Sequence, residues 1–250
     1  MLTPSFLRLD RPLLWGHRGA SREAPENTLA AFALAARQGA DGVELDAQLT
    51  GTGEVAVLHD ESLGRTTGFA GLIGETPWSK IRTLDAGSRK AARWAGERVP
   101  LLAQVLSETP PSLLLNIELK CAHADDRGLT AAVVQVIGEG RAQDRVLLSS
   151  FNPFCLWRAR ALAPHLPRAL LFEGGAAWPL RHALAAPIAH ALHPEASLAT
   201  DEQVARWRAR GYTVAAWTVD DPAVAAQLWA SGVSGLITND PAALLAQFGS

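Results

Sequence analysis

Eight short apolar runs alternate with alanine-rich stretches of helical character along almost the whole chain. The runs are LLWGH (13–17), GVELD (42–46), LLLNIELK (113–120), VLLSSF (146–151), RALLF (168–172), IAHALH (188–193), TVAAWTV (213–219) and GLITN (235–239). Each is bounded by Gly, Pro or polar residues and reads as a buried strand. Helices are expected over 27–38, 100–108, 126–139, 153–162, 201–210, 222–230 and 241–247. Asn27 or Thr28 can cap the first, Asp221-Pro222 and Asp240-Pro241 open the last two, and Gly39, Gly211 and Gly232 fall where helices should stop. The segment 174–187 is unassigned, because Pro179 and Pro187 interrupt it.

Strands that alternate with helices imply a parallel sheet, and eight such units in 250 residues fit a closed (β/α)₈ TIM barrel. A doubly wound open sheet is the structural alternative, but the first turn, GHRGASREAPEN, is no dinucleotide-binding glycine loop. The rhythm breaks once. Residues 51–99 hold a turn, a short strand EVAVLH and a Gly-rich excursion. That stretch is too small for an independent core and is expected to be a cap inserted after the second strand of a single domain spanning 1–250.

Composition narrows the function classes. With 23 basic against 25 acidic residues the net charge is −2, which gives no electrostatic footprint for nucleic acid. No apolar run approaches the ~20 residues of a membrane span, and the opening residues carry no secretory pattern, so a soluble, cytoplasmic protein is expected. Two cysteines, Cys121 and Cys155, make no disulfide framework.

In such barrels the chemistry sits at the C-terminal ends of the strands. Glu44 and Asp46 stand two apart on strand two, so they share a face turned to the interior while Val43 and Leu45 meet the helices. Glu118 repeats this on the next strand, with Asn116 and Lys120 on its face. Three converging carboxylates suit a hard divalent cation, Mg²⁺, Ca²⁺ or Mn²⁺. An internal ion-pair network with Arg18 and Lys120 fits the same residues equally well. His17 closes strand one and His59 the inserted strand, which sets them apart from His123, His165, His182, His190 and His193, expected to be structural or surface residues. Two imidazoles can act as acid and base on opposite sides of a bond. With Arg18 and Lys120 as fixed charge, the set suits a transferring phosphoryl group. Trp217 and Phe151, at the ends of strands seven and four, are candidate pocket walls, although packing accounts for them as readily.

The ordered elements HRG, PENT, GAD, VELD and V-x-HD within 17–60 resemble the signature of the glycerophosphodiester phosphodiesterases, specifically their short bacterial cytoplasmic type. IELK (117–120), SSF (149–151), WTVDDP (217–222) and GLITNDP (235–241) match that family's later landmarks in order. The resemblance implies a TIM barrel, with Glu44, Asp46 and Glu118 as ligands of one divalent cation, Mg²⁺ or Ca²⁺ with Mn²⁺ admitted. It makes His17 and His59 the acid–base pair and Arg18 and Lys120 the phosphate-binding residues. The implied reaction is cleavage of glycerophosphodiesters, such as glycerophosphocholine or glycerophosphoethanolamine, to sn-glycerol 3-phosphate and an alcohol. The nucleophile is water or the glycerol 2-hydroxyl. A lysophospholipase D-like enzyme and a catalytically silent glycerophosphodiester-binding barrel are the rival readings. One departure stands out: the family's T-x-D-G turn is Thr50-Gly51-Thr52-Gly53 here, which reads as turn chemistry rather than a ligand.

Overall fold

A computed structural model describes residues 11–175 and 183–248. The first ten residues, read above for a secretory leader, lie outside them, as do Pro179 and His182 within the unassigned 174–187 stretch. Among the described residues nine strands form one sheet: β1 (Leu13–His17), β2 (Gly42–Leu49), β3 (Val55–Val57), β4 (Leu114–Leu119), β5 (Val146–Ser150), β6 (Arg168–Phe172), β7 (Ala191–Pro194), β8 (Thr213–Ala216) and β9 (Gly235–Thr238). β1 pairs with both β2 and β9, so the eight parallel strands close into a barrel. The open-sheet alternative falls with that closure. β3 is the exception, running antiparallel on β2 and opening the inserted segment.

The alternation of side chains explains what the barrel holds. On β2, Val43, Leu45 and Ala47 point outward into an apolar layer with Phe32, Val105 and Val133 of the surrounding helices. The intervening residues point inward. At the amino-terminal end of the strands Leu13, Trp15, Leu114, Leu147, Ala169, Ala191 and Ile237 fill the interior as an apolar floor. Above that floor the inward positions turn polar, and register sets their neighbours. His17 lies level with Glu44, and Asp46 level with Glu118. The four inward positions are thus brought side by side by hydrogen-bonded pairing, not by loop conformation.

Helix caps follow the sequence signals, and the structure chooses between the two candidates for the first. Thr28, not Asn27, caps the helix Leu29–Arg37, its Oγ1 accepting from the Ala31 amide at 3.2 Å. Asn27 is freed for the site. Asp221 and Asp240 accept from amides of the helices they precede, as expected. The inserted segment continues from β3. Its short helices, Gly64–Thr67 and Trp78–Ile81, enclose a small apolar cluster that includes Leu58, Leu63, Ile73 and Ile81. The Thr50–Gly53 stretch is the β2–β3 turn, with Gly53 at φ +93°.

The β1 loop depends on one glycine. Gly19 has φ +85°, and a Cβ there would stand 2.6 Å from the Ala31 backbone. Gly19→Ala combines a left-handed backbone with overpacking, together about 2–4 kcal/mol. At roughly 2–4 °C per kcal/mol for a chain of this size, the thermal midpoint should fall by roughly 5–15 °C. A midpoint equal to wild type in a thermal scan would show that the loop does not need this conformation.

Candidate active site

The carboxyl ends of the strands surround a cavity of about 350 Å³. One side carries His17, Arg18, Glu44, His59, Glu118 and Lys120; the other carries Phe151 and Trp217, with Leu171 and Glu173 of the β6 end. Asp46 lies beneath, fully buried. Every residue singled out from sequence therefore meets at one place.

Glu44, Asp46 and Glu118 each offer an oxygen within 4.8 Å of the others. Arg18 Nε stands 3.3 Å from Asp46, and Lys120 Nζ 3.1 Å from Glu118 and 3.5 Å from Asp46. The expected ion pairs are present, but two cations do not discharge three buried carboxylates. Burial, then the charges of Asp46 and Glu118, push the Glu44 carboxyl well above its usual range. Burial and then Asp46 push Glu118 up to about 7. Burial works the same way on Asp46, but Lys120 and Arg18 outweigh it and hold it low. Asp46 Oδ1 accepts no hydrogen bond. An oxygen-only set that gathers three carboxylates against two cations, with Asp46 Oδ1 met by Lys120 at 3.5 Å but by no hydrogen bond, fits a hard divalent cation.

Two sparsely populated backbone conformations hold this cluster. Arg18 and Asn27 have φ +57° and +58°. They turn the Arg18 amide onto Glu44 Oε2 at 3.1 Å and the Asn27 side-chain amide onto Asp46 Oδ2 at 2.7 Å. Positive φ at non-glycine residues costs free energy and persists where the surroundings enforce it, typically at functional sites.

Both histidines are held by Nδ1, and the partners differ. His17 Nδ1 stands 2.8 Å from Asn239 Oδ1. The amide orientation is settled by Asp220, which can only accept and which faces Asn239 Nδ2 at 2.7 Å. So His17 donates from Nδ1, and its Nε2, 3.9 Å from Glu44, keeps a lone pair. Burial, with Arg18 beside it, lowers the His17 pKa, which favours the neutral ring. His59 Nδ1 instead donates to the Asp60 carboxylate at 2.7 Å. Across the cavity Phe151 and Trp217 meet edge to face, 5.6 Å between centroids, and the Trp217 indole donates to the His193 carbonyl at 2.8 Å. His193 itself is buried in the barrel interior.

Residues 17–243 match the model of the glycerophosphoryl diester phosphodiesterase family. The chain belongs to that family. The resemblance read from the motifs therefore holds, and with it the TIM barrel and the enzyme class, phosphodiesterase. A glycerophosphodiester phosphodiesterase of Caldanaerobacter subterraneus subsp. tengcongensis is 37% identical over 94% of this chain and 97% of that protein. One from Bacillus altitudinis is 34% identical over 91% and 94%. Among solved structures, an Oleispira antarctica phosphodiesterase in complex with the product sn-glycerol-3-phosphate superposes with a TM-score of 0.90, at 35% identity and 98% coverage of both chains. Among the described residues no helix is long and apolar enough to cross a membrane.

Within the family's motifs, several residues carry more than sequence reasoning gave them. Asn27 of PENT, one of the two cap candidates, holds a carboxylate of the cluster. Asn239 and Asp220, in GLITNDP and WTVDDP, were read only as landmarks and orient His17. The signal for Asn239 was available: it directly follows β9, as His17 directly follows Gly16, the β1 partner of Thr238.

Proposed function

We propose that the protein hydrolyses glycerophosphodiesters to sn-glycerol 3-phosphate and an alcohol, with one divalent cation, Mg²⁺ or Ca²⁺ with Mn²⁺ admitted, held by Glu44, Asp46 and Glu118. The observation that carries this is the meeting of an uncompensated carboxylate triad with two Nδ1-anchored histidines in a single cavity. When bound, the cation supplies positive charge at a non-bridging phosphoryl oxygen.

The chain's own groups divide the remaining work. Arg18 and Lys120 bind the remaining phosphate charge beside the triad. His17 is the general base: its neutral form is favoured and its bare Nε2 faces the site, ready to take the proton of the attacking hydroxyl. His59 is the general acid. With Nδ1 held on the Asp60 carboxylate, its Nε2 gives a proton to the departing alcohol. Phe151 and Trp217 shut water from one side and pack against the carbon skeleton of the substrate.

The compact cavity and the short cap favour water-soluble diesters over substrates with long acyl chains. The product bound in the Oleispira antarctica relative supports the same leaving chemistry. The test is incubation of the cation-loaded protein with glycerophosphocholine and, separately, with lysophosphatidylcholine, with enzymatic detection of glycerol 3-phosphate and choline. Release of glycerol 3-phosphate from the first substrate is expected. Choline release from lysophosphatidylcholine alone would replace this reading with the lysophospholipase D-like one, and binding without release would indicate a silent barrel.

A further inference from the structure

The inserted segment that carries His59 also braces the site through Arg65. Its helix, Gly64–Thr67, is anchored by Leu63, which is fully buried, and by the Arg89 guanidinium, which donates to the Arg65 carbonyl at 2.8 Å. From there the Arg65 guanidinium spans two carboxylates. Nη1 and Nη2 each donate to Glu26 at 2.7 Å, a bidentate pair, and Nε donates to Asp60 Oδ2. Each carboxylate then holds a different residue of the site. Asp60 Oδ1 accepts from His59 Nδ1, and Glu26 Oε1 accepts from Arg18 Nη1 at 3.1 Å.

The geometry points to Arg65 as a positioning residue: through Asp60 it fixes the ring of His59, and through Glu26 it steadies Arg18. The inference rests on the phosphodiesterase reading above and adds to it a role for the cap, as the fixed support of one histidine. Three features carry it. A carboxylate with one oxygen on a guanidinium and the other on an imidazole has no freedom to rotate, so the ring plane of His59 is set. Hydrogen bonding from Arg65 is the largest influence holding the Asp60 carboxyl down to about 2, which keeps it an acceptor for Nδ1. The planar fork of arginine gives Glu26 a bidentate pair while Nε serves Asp60, a geometry that a lysine ammonium does not reproduce.

The experiment uses the full chain, cation-loaded, as wild type, Arg65→Ala, Arg65→Lys, Asp60→Asn and the Arg65→Ala/Asp60→Asn double variant. Steady-state kcat and KM for glycerophosphocholine and the thermal midpoint are measured for each. Arg65→Ala is expected to lower kcat by about 10- to 100-fold, the scale of a misplaced reacting group, with little change in KM. Arg65→Lys keeps the charge and should leave kcat near that of the alanine variant. In the Asp60→Asn background, removing Arg65 should cost much less than in wild type, because the link to His59 is already altered. An active wild type with Arg65→Ala equally fast overturns this inference alone. So does an equal cost in both backgrounds, or a kcat loss that only follows a lowered midpoint. A wild type that releases no glycerol 3-phosphate overturns the phosphodiesterase reading itself.

Discussion

Replacing His59 by alanine is expected to lower turnover of glycerophosphocholine by about 10²- to 10⁴-fold, and to lower turnover of the p-nitrophenyl ester of glycerol phosphate far less. Choline leaves as a poorly stabilised alkoxide unless it receives a proton, whereas nitrophenolate departs without one. His17→Ala should lose a similar factor on both substrates, because the attacking hydroxyl must be deprotonated whichever group leaves. The asymmetry follows from the partners of the two rings. Asn239 holds the half-buried ring of His17 by Nδ1, leaving Nε2 toward the site, and Asp60 holds the other ring by its carboxylate. Steady-state kcat on the two substrates decides the matter. Rescue of His17→Ala instead of His59→Ala would exchange the roles, and wild-type turnover by either variant would remove that residue from the chemistry.

The second large effect concerns the carboxylates. Glu118→Gln is expected to abolish measurable turnover and to remove the stabilisation that a cation gives the wild type. At a cation concentration about 100 times its dissociation constant, binding to the folded state alone is worth about 2.7 kcal/mol. At roughly 2–4 °C per kcal/mol, the wild-type midpoint should rise by roughly 5–11 °C on adding Mg²⁺ or Ca²⁺, and the variant's far less. The effect has a pH dependence of defined sign. Glu118 titrates near 4.5 when unperturbed and is pushed up to about 7 in the fold without a cation. The folded state therefore binds more protons than the unfolded one between those values, and the cation-free protein loses stability as pH rises through that window. The cation-induced rise in midpoint should be larger at pH 7 than at pH 5. Thermal scans of wild type and Glu118→Gln, with cation and with chelator at both pH values, measure all of this. A wild-type midpoint indifferent to cations would contradict the assignment.

The barrel was legible because its parallel strands are buried on both faces and stand out as apolar runs, with turn residues between them. The same periodicity exposed the site: Glu44 and Asp46 interrupt an otherwise apolar run at the inward positions of β2. Strand ends were less legible. β2 continues to Leu49 because β3 pairs along it, and β8 stops at Ala216, short of the residue 219 expected from hydrophobicity. Hydrophobicity reports burial, and ladder pairing sets where a strand ends. The supporting shell was the least legible part. Asn239 lies 222 positions from His17, and Arg65 lies 39 from Glu26. Such pairs leave no local pattern, since closing the barrel and folding the cap are what bring them together. The same holds for Asn27, whose composition signal, a capping residue before a helix, pointed to a role that Thr28 fills.

The most direct test of the central claim is a parallel measurement of bound cation and turnover. Chelated protein is titrated with Mg²⁺ or Ca²⁺ while equilibrium binding and glycerol 3-phosphate release from glycerophosphocholine are followed together. One ion per chain, with turnover rising in step with occupancy and both lost in Glu118→Gln, is the expected result. Full turnover by the chelated protein, or unchanged cation binding by the variant, would contradict a site built on Glu44, Asp46 and Glu118.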